Sequence, residues 1–185
     1  MTLLELGNIA GLRLTAHRTA VVGFVLLWAI LSGMAIALFN LSPMAAILGG
    51  LAATILHFAS ELWHQLGHAW AARRVGYPMI GVRCWWVLGA SIYPKDEPTL
   101  PGSVHIRRAL GGPAASFLLA MVCGALSLLL IDFVVAEPIR PTFVQKTIWY
   151  VIFFLFLDNL LVFTLGAFLP LGFTDGSTIL RWWGK

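Results

Sequence analysis

The run HQLGHAWAARRVGYP, residues 64–78, ends a long apolar segment and decides how this chain is interpreted. If the run is helical, His64 and His68 stand four residues apart, so both imidazoles lie on one face with about 5–6 Å between their Cβ atoms. Two imidazoles at this spacing suit one Zn²⁺ ion. In the motif H-E-x-x-H, the glutamate after the first histidine is the general base that takes a proton from the attacking water. Here that residue is Gln65, which has nearly the same shape but no titratable group at neutral pH.

The composition around this run is that of a membrane protein. Of the 185 residues, 59% are hydrophobic and 11% are charged, whereas a soluble domain carries about 25% charged residues. This shortage of charge indicates that most of the surface faces the lipid bilayer, and we expect a single membrane-embedded domain over residues 1–185. The net charge of +4 is explained by loops that flank the spans, so no nucleic acid partner is expected.

Apolar segments and loops predict the fold class. Residues 1–18 carry a weak apolar pattern and are interpreted as an N-terminal interfacial segment. Residues 73–108 form a long polar loop, in which residues 80–88 and 90–93 around Gly89 predict a small hairpin. The expected fold is an all-α polytopic membrane protein with a small cytoplasmic β-hairpin. Its four principal transmembrane helices are predicted at about residues 19–39, 44–72, 109–136 and 146–169.

Proline-containing turns separate these helices. One turn is predicted at residues 40–43 and another at residues 137–141. Pro170 is expected to end the fourth span, and a short helix follows it as far as Trp183.

The distribution of lysine and arginine predicts the orientation. With four spans, both termini and the 73–108 loop lie on one side of the membrane. Ten of the 12 basic residues fall on that side, and only Arg140 and Lys146 fall on the other. Because cytoplasmic loops carry the excess of positive charge, we expect an integral protein of a bacterial plasma membrane with both termini in the cytoplasm.

The same topology brings a carboxylate to the histidine pair. His68 is expected near the cytoplasmic end of the second span, and Asp175 just beyond the cytoplasmic end of the fourth. Asp-Gly after a proline-ended helix is often only a turn, but its expected depth matches that of the histidines. Two imidazoles and one carboxylate favour zinc over other metals, and ligation of haem or a pigment is the weaker alternative.

Three segments resemble the site-2 protease family of intramembrane zinc metalloproteases. Residues 64–78 are similar to the family core HELGHALAARRxGxP. The stretch RRALGGPAASFLL at residues 107–119 is similar to the family's A-G-P-x-A-N-F, and LPLGFTDG at residues 169–176 is similar to N-x-x-P-x-x-P-L-D-G. The resemblance covers about residues 44–182.

This resemblance implies a metal site and a class of partner. His64, His68 and Asp175 would be the ligands of one Zn²⁺, with water as the fourth. The site would open toward the cytoplasm, and the hairpin would help to guide a transmembrane helix of a substrate protein.

Three polar groups of the family are absent from this chain. Gln65 replaces the base, Ser116 replaces the asparagine of the G-P-x-A-N stretch, and Ala167 stands where the third motif has its asparagine. A laboratory substitution would account for Gln65 alone, whereas three losses fit a natural relative that has given up peptide hydrolysis. Removal of a general base costs about 10²–10⁴-fold in rate, so we expect a pseudoenzyme that is weak or inactive, although Ser116 can still donate a hydrogen bond.

A second polar group is predicted deeper in the spans. His57, Glu61 and His64 lie along one stripe of the second span. We expect Glu61 to hold an imidazole nitrogen of His64, with the role of a displaced base as the alternative. Asp158 lies at the depth of His57 in the fourth span, and we predict a polar contact among His57, Glu61 and Asp158. Its expected role is to join the helices, and a proton or ion path is the alternative.

A non-enzymatic function remains the main alternative to a protease. The scaffold would then bind a transmembrane partner without cutting it, or serve as an accessory subunit of a larger membrane complex. Stable co-purification at fixed stoichiometry favours this function, whereas transient contact with a substrate favours proteolysis.

Overall fold

The computed structural model describes residues 3–132 and 143–185. The prediction of four long apolar helices is confirmed, because four helices in these ranges have the length and hydropathy needed to cross a membrane. Three of them are α1 (Arg18–Phe39), α2 (Pro43–Arg74) and α3 (Gly102–Leu129), and the fourth span, Gln145–Phe168, begins within α4 (Phe143–Leu157) and continues beyond it. A π-helical segment (Asp158–Leu165), a 3₁₀ turn (Gly166–Phe168) and the short helix α5 (Asp175–Trp182) follow α4.

The helix boundaries agree with the prediction except in α3. Asn40 adopts a left-handed conformation with φ of 50° between α1 and α2, which confirms the predicted turn. Helix α3 begins at Gly102, before the predicted start at residue 109, because the charge of Arg108 is buried and paired instead of marking a loop. The turn predicted at residues 137–141 and the end of the third predicted span lie outside the described residues.

A four-stranded sheet corrects the all-α class. Its strands pair in the order β1 (Leu4–Ile9), β2 (Leu12–Ala16), β3 (Gly81–Trp85) and β4 (Leu88–Ile92). The β1–β2 and β3–β4 pairs are antiparallel hairpins, and β2 runs parallel to β3. Most of residues 1–18 form strands of this sheet, and the predicted position of this segment at the membrane interface stays a prediction.

Packing against α2 explains why the N-terminal residues become strands. Leu12 of β2 is fully buried in a cluster with Ala72 of α2 and Val82 of β3. Arg13 pairs with Gly81 in the parallel ladder. This partner is far away in sequence, so the local apolar pattern of residues 1–18 contains no sign of it.

The predicted hairpin in the polar loop is confirmed, but its turn is not at Gly89. Trp85 pairs with Leu88, so Trp86 and Val87 form the turn, and Trp86 has a φ of 54°. Gly89 lies inside β4, where an added Cβ would come within 2.5 Å of Oε1 of Glu61. A larger residue at this position would have to displace the Glu61 side chain, because the strand lies directly on α2.

Two glycines bring the central helices together. A Cβ on Gly111 of α3 would lie 2.5 Å from the carbonyl oxygen of Gly67 of α2. Small residues at a helix crossing allow the backbones to approach closely. This crossing places the histidine face of α2 directly against α3.

Candidate metal centre

Three side chains that can bind a metal converge near the C-terminal end of α2. The Nε2 atom of His64 lies 3.3 Å from Oδ2 of Asp175, and Nε2 of His68 lies 3.4 Å from Oδ1 of the same carboxylate. The two Nε2 atoms are 3.0 Å apart. All the candidate ligand atoms lie within 4.8 Å of one another. The structure therefore brings together the three residues that the sequence pointed to.

Two separate elements position these side chains. The histidines are buried on the face of α2 that packs against α3. Asp175 is the first residue of α5, and α5 is held against α3 by the stacked rings of His105 and Trp182, whose centroids are 4.1 Å apart. The position of the carboxylate is therefore set by tertiary packing.

Hydrogen bonds orient both imidazoles for metal binding. Nδ1 of His68 lies 2.8 Å from the carbonyl oxygen of Arg108. A carbonyl oxygen can only accept, so Nδ1 carries the proton and the lone pair of Nε2 in the neutral ring faces the other ligands. Nδ1 of His64 lies 3.1 Å from Oγ of Ser116. Both rings are thus fixed through the nitrogen that does not face the site.

The donor set and its spacing fit zinc. Tetrahedral Zn²⁺ with nitrogen ligands at about 2.0–2.1 Å has ligand atoms about 3.3 Å apart, close to the 3.0 Å between the two Nε2 atoms. Burial acts to raise the pKa of Asp175, but hydrogen bonds and positive charge from the imidazoles of His64 and His68 when they are protonated outweigh it and hold this pKa below its ordinary value. An added Cβ on Gly112 would lie 2.5 Å from Nε2 of His64 and would also overlap Nε2 of His68, so this glycine keeps the site open.

The side chain at the position of the missing base is fully engaged elsewhere. Nε2 of Gln65 donates to Oε1 of Glu61 at 2.8 Å and to the carbonyl oxygen of Gly89 at 3.1 Å. Its Oε1 atom accepts a hydrogen bond from Oγ of Ser91 at 2.7 Å. Both N–H donors and the amide oxygen of Gln65 therefore have partners in the protein.

Glu61 does not have the role expected of it. The sequence predicted that it would hold His64, but Ser116 occupies that position. Glu61 instead accepts the amide of Gln65 and a backbone hydrogen bond from Gly89. Its carboxylate therefore belongs to the contact between α2 and β4.

The deeper polar group forms only in part. His57 and Asp158 are in contact as predicted, with 2.9 Å between Nδ1 and Oδ1, and no hydrogen bond joins Glu61 to either of them in the described ranges. Oδ2 of Asp158 and Oδ1 of Asn159 are buried and have no hydrogen-bond partner within residues 3–132 and 143–185. This group lies apart from the metal ligands.

Arg108 contacts the candidate site in a way that the sequence analysis missed. It is only 4% exposed. Its guanidinium is paired with Glu97, donates to the carbonyl oxygen of Tyr77 at 2.5 Å, and lies 4.0 Å from the centre of the Tyr93 ring. Because its backbone carbonyl also orients His68, Arg108 connects the polar loop to the metal ligands. In the sequence, Arg108 looked like one more charged residue of the polar loop. No local pattern indicated its contact with the metal ligands.

Comparisons with known proteins agree with this geometry. In an alignment of 181 residues that covers 96% of this chain, the sequence is 29% identical to a protein of Mycobacterium tuberculosis named "Putative zinc metalloprotease Rip3", in both the Erdman and H37Rv strains. Among solved structures, the site-2 protease from Methanocaldococcus jannaschii matches with a TM-score of 0.60 at 19% sequence identity. That match covers 97% of this chain and 70% of the archaeal chain. No family model matches the sequence.

The two matches cover different shares of the matched proteins. The chain spans 42% of the length of its curated relatives. The structural match extends over almost the whole chain and shows that the fold is that of a site-2 protease.

Proposed function

We propose, on the premise that the chain is a relative of the site-2 proteases and has their fold, that it is a membrane-embedded zinc protein in which peptide hydrolysis is strongly impaired. His64, His68 and Asp175 would hold one Zn²⁺. When bound, zinc supplies Lewis-acid polarisation of a carbonyl and of water. The partner would be a transmembrane helix that enters near the metal.

One observation carries this proposal: the side chain next to the first ligand is an amide with no free donor. Gln65 donates to Glu61 and Gly89 and accepts from Ser91. An amide cannot take up a proton near neutral pH. Loss of a general base lowers a rate by about 10²–10⁴-fold. Peptide hydrolysis by this chain should therefore be very slow.

The position of Ser116 supports the same conclusion. Its hydroxyl lies 3.1 Å from Nδ1 of His64, and the residue is fully buried, at 0% exposure. It orients a ligand from behind, so it does not offer its hydroxyl to a substrate carbonyl. The loss of one oxyanion donor costs about a further 10²–10³-fold, although such effects need not add.

A second candidate function is the binding of a membrane partner without cleavage. An apolar groove of about 290 Å³ lies between α2, α3 and α4. It is lined by Leu56, Ala59, Ser60, Trp63, Leu119 and Leu155. A groove of this lining suits an apolar helix or a lipid chain, which supports a binding or accessory role in a larger membrane complex.

Metal analysis tests the first part of the proposal. We expect about one zinc per chain in protein purified in nanodiscs and washed without chelator. His68→Ala and Asp175→Ala should each lose it, whereas His17→Ala, at the start of α1, should keep it. Zinc that is absent from the unaltered chain, or that stays in both ligand variants, contradicts the assigned site.

A cleavage assay tests the second part. The zinc-loaded chain is mixed with single-span helices that carry a fluorescent reporter, and product is measured against a His64→Ala variant. We expect equal, background product from the two proteins. Cleavage by the unaltered chain that His64→Ala abolishes would show an active protease and reject the proposed impairment, while leaving the metal site intact.

A further inference from the structure

Three polar residues of α2 face the sheet at regular spacing. His57, Glu61 and Gln65 follow one another at intervals of four residues, so they share one face of the helix. All three are at most 5% exposed. None of them is among the candidate metal ligands. The face they form lies against β4.

His57 binds the β3–β4 turn, and Glu61 and Gln65 bind the outer edge of β4. Nε2 of His57 lies 2.9 Å from the carbonyl oxygen of Val87 at the turn. Nε2 of Gln65 donates to the carbonyl oxygen of Gly89 at 3.1 Å, and Glu61 is hydrogen-bonded to the backbone of Gly89. Ser91 completes the row by donating to Oε1 of Gln65 at 2.7 Å.

The position of β4 in the sheet explains why these bonds exist. β4 is the last strand in the order of the sheet and pairs on one side with β3. The other side of an edge strand presents unpaired backbone groups. Residues 87 and 89 are two apart, so their free backbone groups point the same way, and the side chain of Ser91 reaches Gln65 from the face of the sheet. Side chains of α2 satisfy this edge in place of a fifth strand.

We propose that Gln65 is a positioning residue, which together with Glu61 clamps the edge of β4 onto α2. The clamp requires an amide at position 65, because the site uses two N–H donors and one acceptor. Glutamate has the same shape but no N–H, so it would present oxygen to both the Glu61 carboxylate and the Gly89 carbonyl. Of glutamine and glutamate, only glutamine can therefore donate to both Glu61 and Gly89. The clamp extends beyond the proposed function, since it does not depend on bound zinc or on proteolysis.

This clamp also bears on any attempt to restore activity. Gln65→Glu alone removes both donors and loosens the hairpin. The double variant Glu61→Gln/Gln65→Glu keeps one amide and one carboxylate in contact, one helical turn apart. It should therefore restore the Glu61–Gln65 hydrogen bond with its direction reversed.

Hydrogen–deuterium exchange of the full chain in nanodiscs tests the clamp. We expect Gln65→Glu and the similarly shaped Gln65→Met to raise amide exchange in residues 85–92 by about tenfold, the equivalent of one lost hydrogen bond. The double variant should exchange more slowly than Gln65→Glu but faster than the unaltered chain, because the amide introduced at position 61 can donate to the carboxylate introduced at position 65 while the Gly89 carbonyl oxygen stays without its donor. His64→Ala, which removes a metal ligand, should leave exchange in this segment unchanged.

Three results would overturn the clamp. The first is unchanged exchange in β4 for both single variants. The second is an amide exchange rate in the double variant that equals the rate in Gln65→Glu. The third is an equal rise in His64→Ala, which would assign the order of β4 to the metal site. If Gln65→Glu does not fold, Gln65→Met and the double variant decide the outcome.

Discussion

The Nδ1 atom of His57 lies 2.9 Å from Oδ1 of Asp158, which joins α2 to the π-helical segment. Nε2 of the same ring lies 2.9 Å from the carbonyl oxygen of Val87. Since this carbonyl only accepts, Nε2 carries the proton of that contact. His57 therefore holds two membrane spans and the turn of the sheet at a single point.

Removal of the carboxylate should weaken this junction. We expect Asp158→Ala to lower the free energy of unfolding by about 1–3 kcal/mol, because it leaves a buried ring nitrogen without a partner. Asp158→Asn should cost less, since its amide can donate to Nδ1. Thermal unfolding in detergent measures both variants. Asp132→Ala, at an exposed position, is the matched control, and an equal loss in that variant would contradict the prediction.

Arg108 should be essential to the order of the polar loop. Lysine cannot bind Glu97 and the Tyr77 carbonyl together as the guanidinium does. We expect Arg108→Lys to cost about 2–3 kcal/mol in unfolding free energy. The neighbouring Arg107→Lys is exposed and should change stability by less than about 0.5 kcal/mol. Chemical denaturation of the two variants side by side gives the comparison, and similar midpoints would reject this role.

The hydroxyl of Ser116 should tune metal affinity. Loss of the group that orients a histidine ligand typically costs 10–100-fold in affinity, and we expect a loss in this range for Ser116→Ala. Ser127→Ala is the control, because Ser127 is buried on the same helix and its hydroxyl has no hydrogen-bond partner in the described part of the chain. Competition with a fluorescent zinc chelator measures both affinities. Equal affinities would show that Ser116 does not act on the site.

Gly112 should be intolerant of a side chain for a steric reason. An added Cβ would overlap Nε2 of both histidines, so Gly112→Ala should lower zinc affinity by at least about tenfold. Gly49→Ala introduces the same methyl group into open space on α2 and should leave affinity unchanged. Zinc titration by calorimetry provides the measurement. Full affinity in Gly112→Ala would mean that the ligands lie elsewhere.

The N-terminal hairpin offers a stabilising change. Ala10 and Gly11 form its turn with φ of 52° and 78°, and alanine is disfavoured at positive φ. Ala10→Asn should raise the free energy of unfolding by about 0.5–1 kcal/mol, because Asn-Gly suits this turn. Ala90→Asn places the same residue in regular strand and should give no gain. A lower melting temperature for Ala10→Asn would show that the turn is not strained.

Interactions within a short stretch of chain were predictable here. Hydropathy alone located four long helices, and the spacing of His64 and His68 placed both rings on one face. Topology placed Asp175 at the depth of the histidines, because two further spans return the chain to the same side, and the resemblance to the site-2 proteases indicated it as the third candidate ligand. The amide at Gln65 was also visible, but its partners were not.

Interactions between distant segments were not predictable. The apolar residues 4–16 suit a surface helix as well as a strand, and only the partner strand β3 decides between them. The sequence suggested a turn at Gly89. The turn is instead made at Trp86, which has a positive φ, and Gly89 leaves room for α2 to pack against β4. The partner of His64 proved to be Ser116 and not Glu61, because the α2–α3 crossing decides which polar group reaches the ring.

The amino-acid sequence by itself determined the four long apolar helices and the pairing of His64 and His68 on one face, because hydropathy and helical periodicity depend only on neighbours along the chain. The tertiary structure alone decided the sheet, the orientation of the imidazoles and the engagement of Gln65. Those features depend on hydrogen bonds between segments that meet only when α2, α3 and β4 have packed together. A buried polar atom takes whichever partner that packing brings within reach.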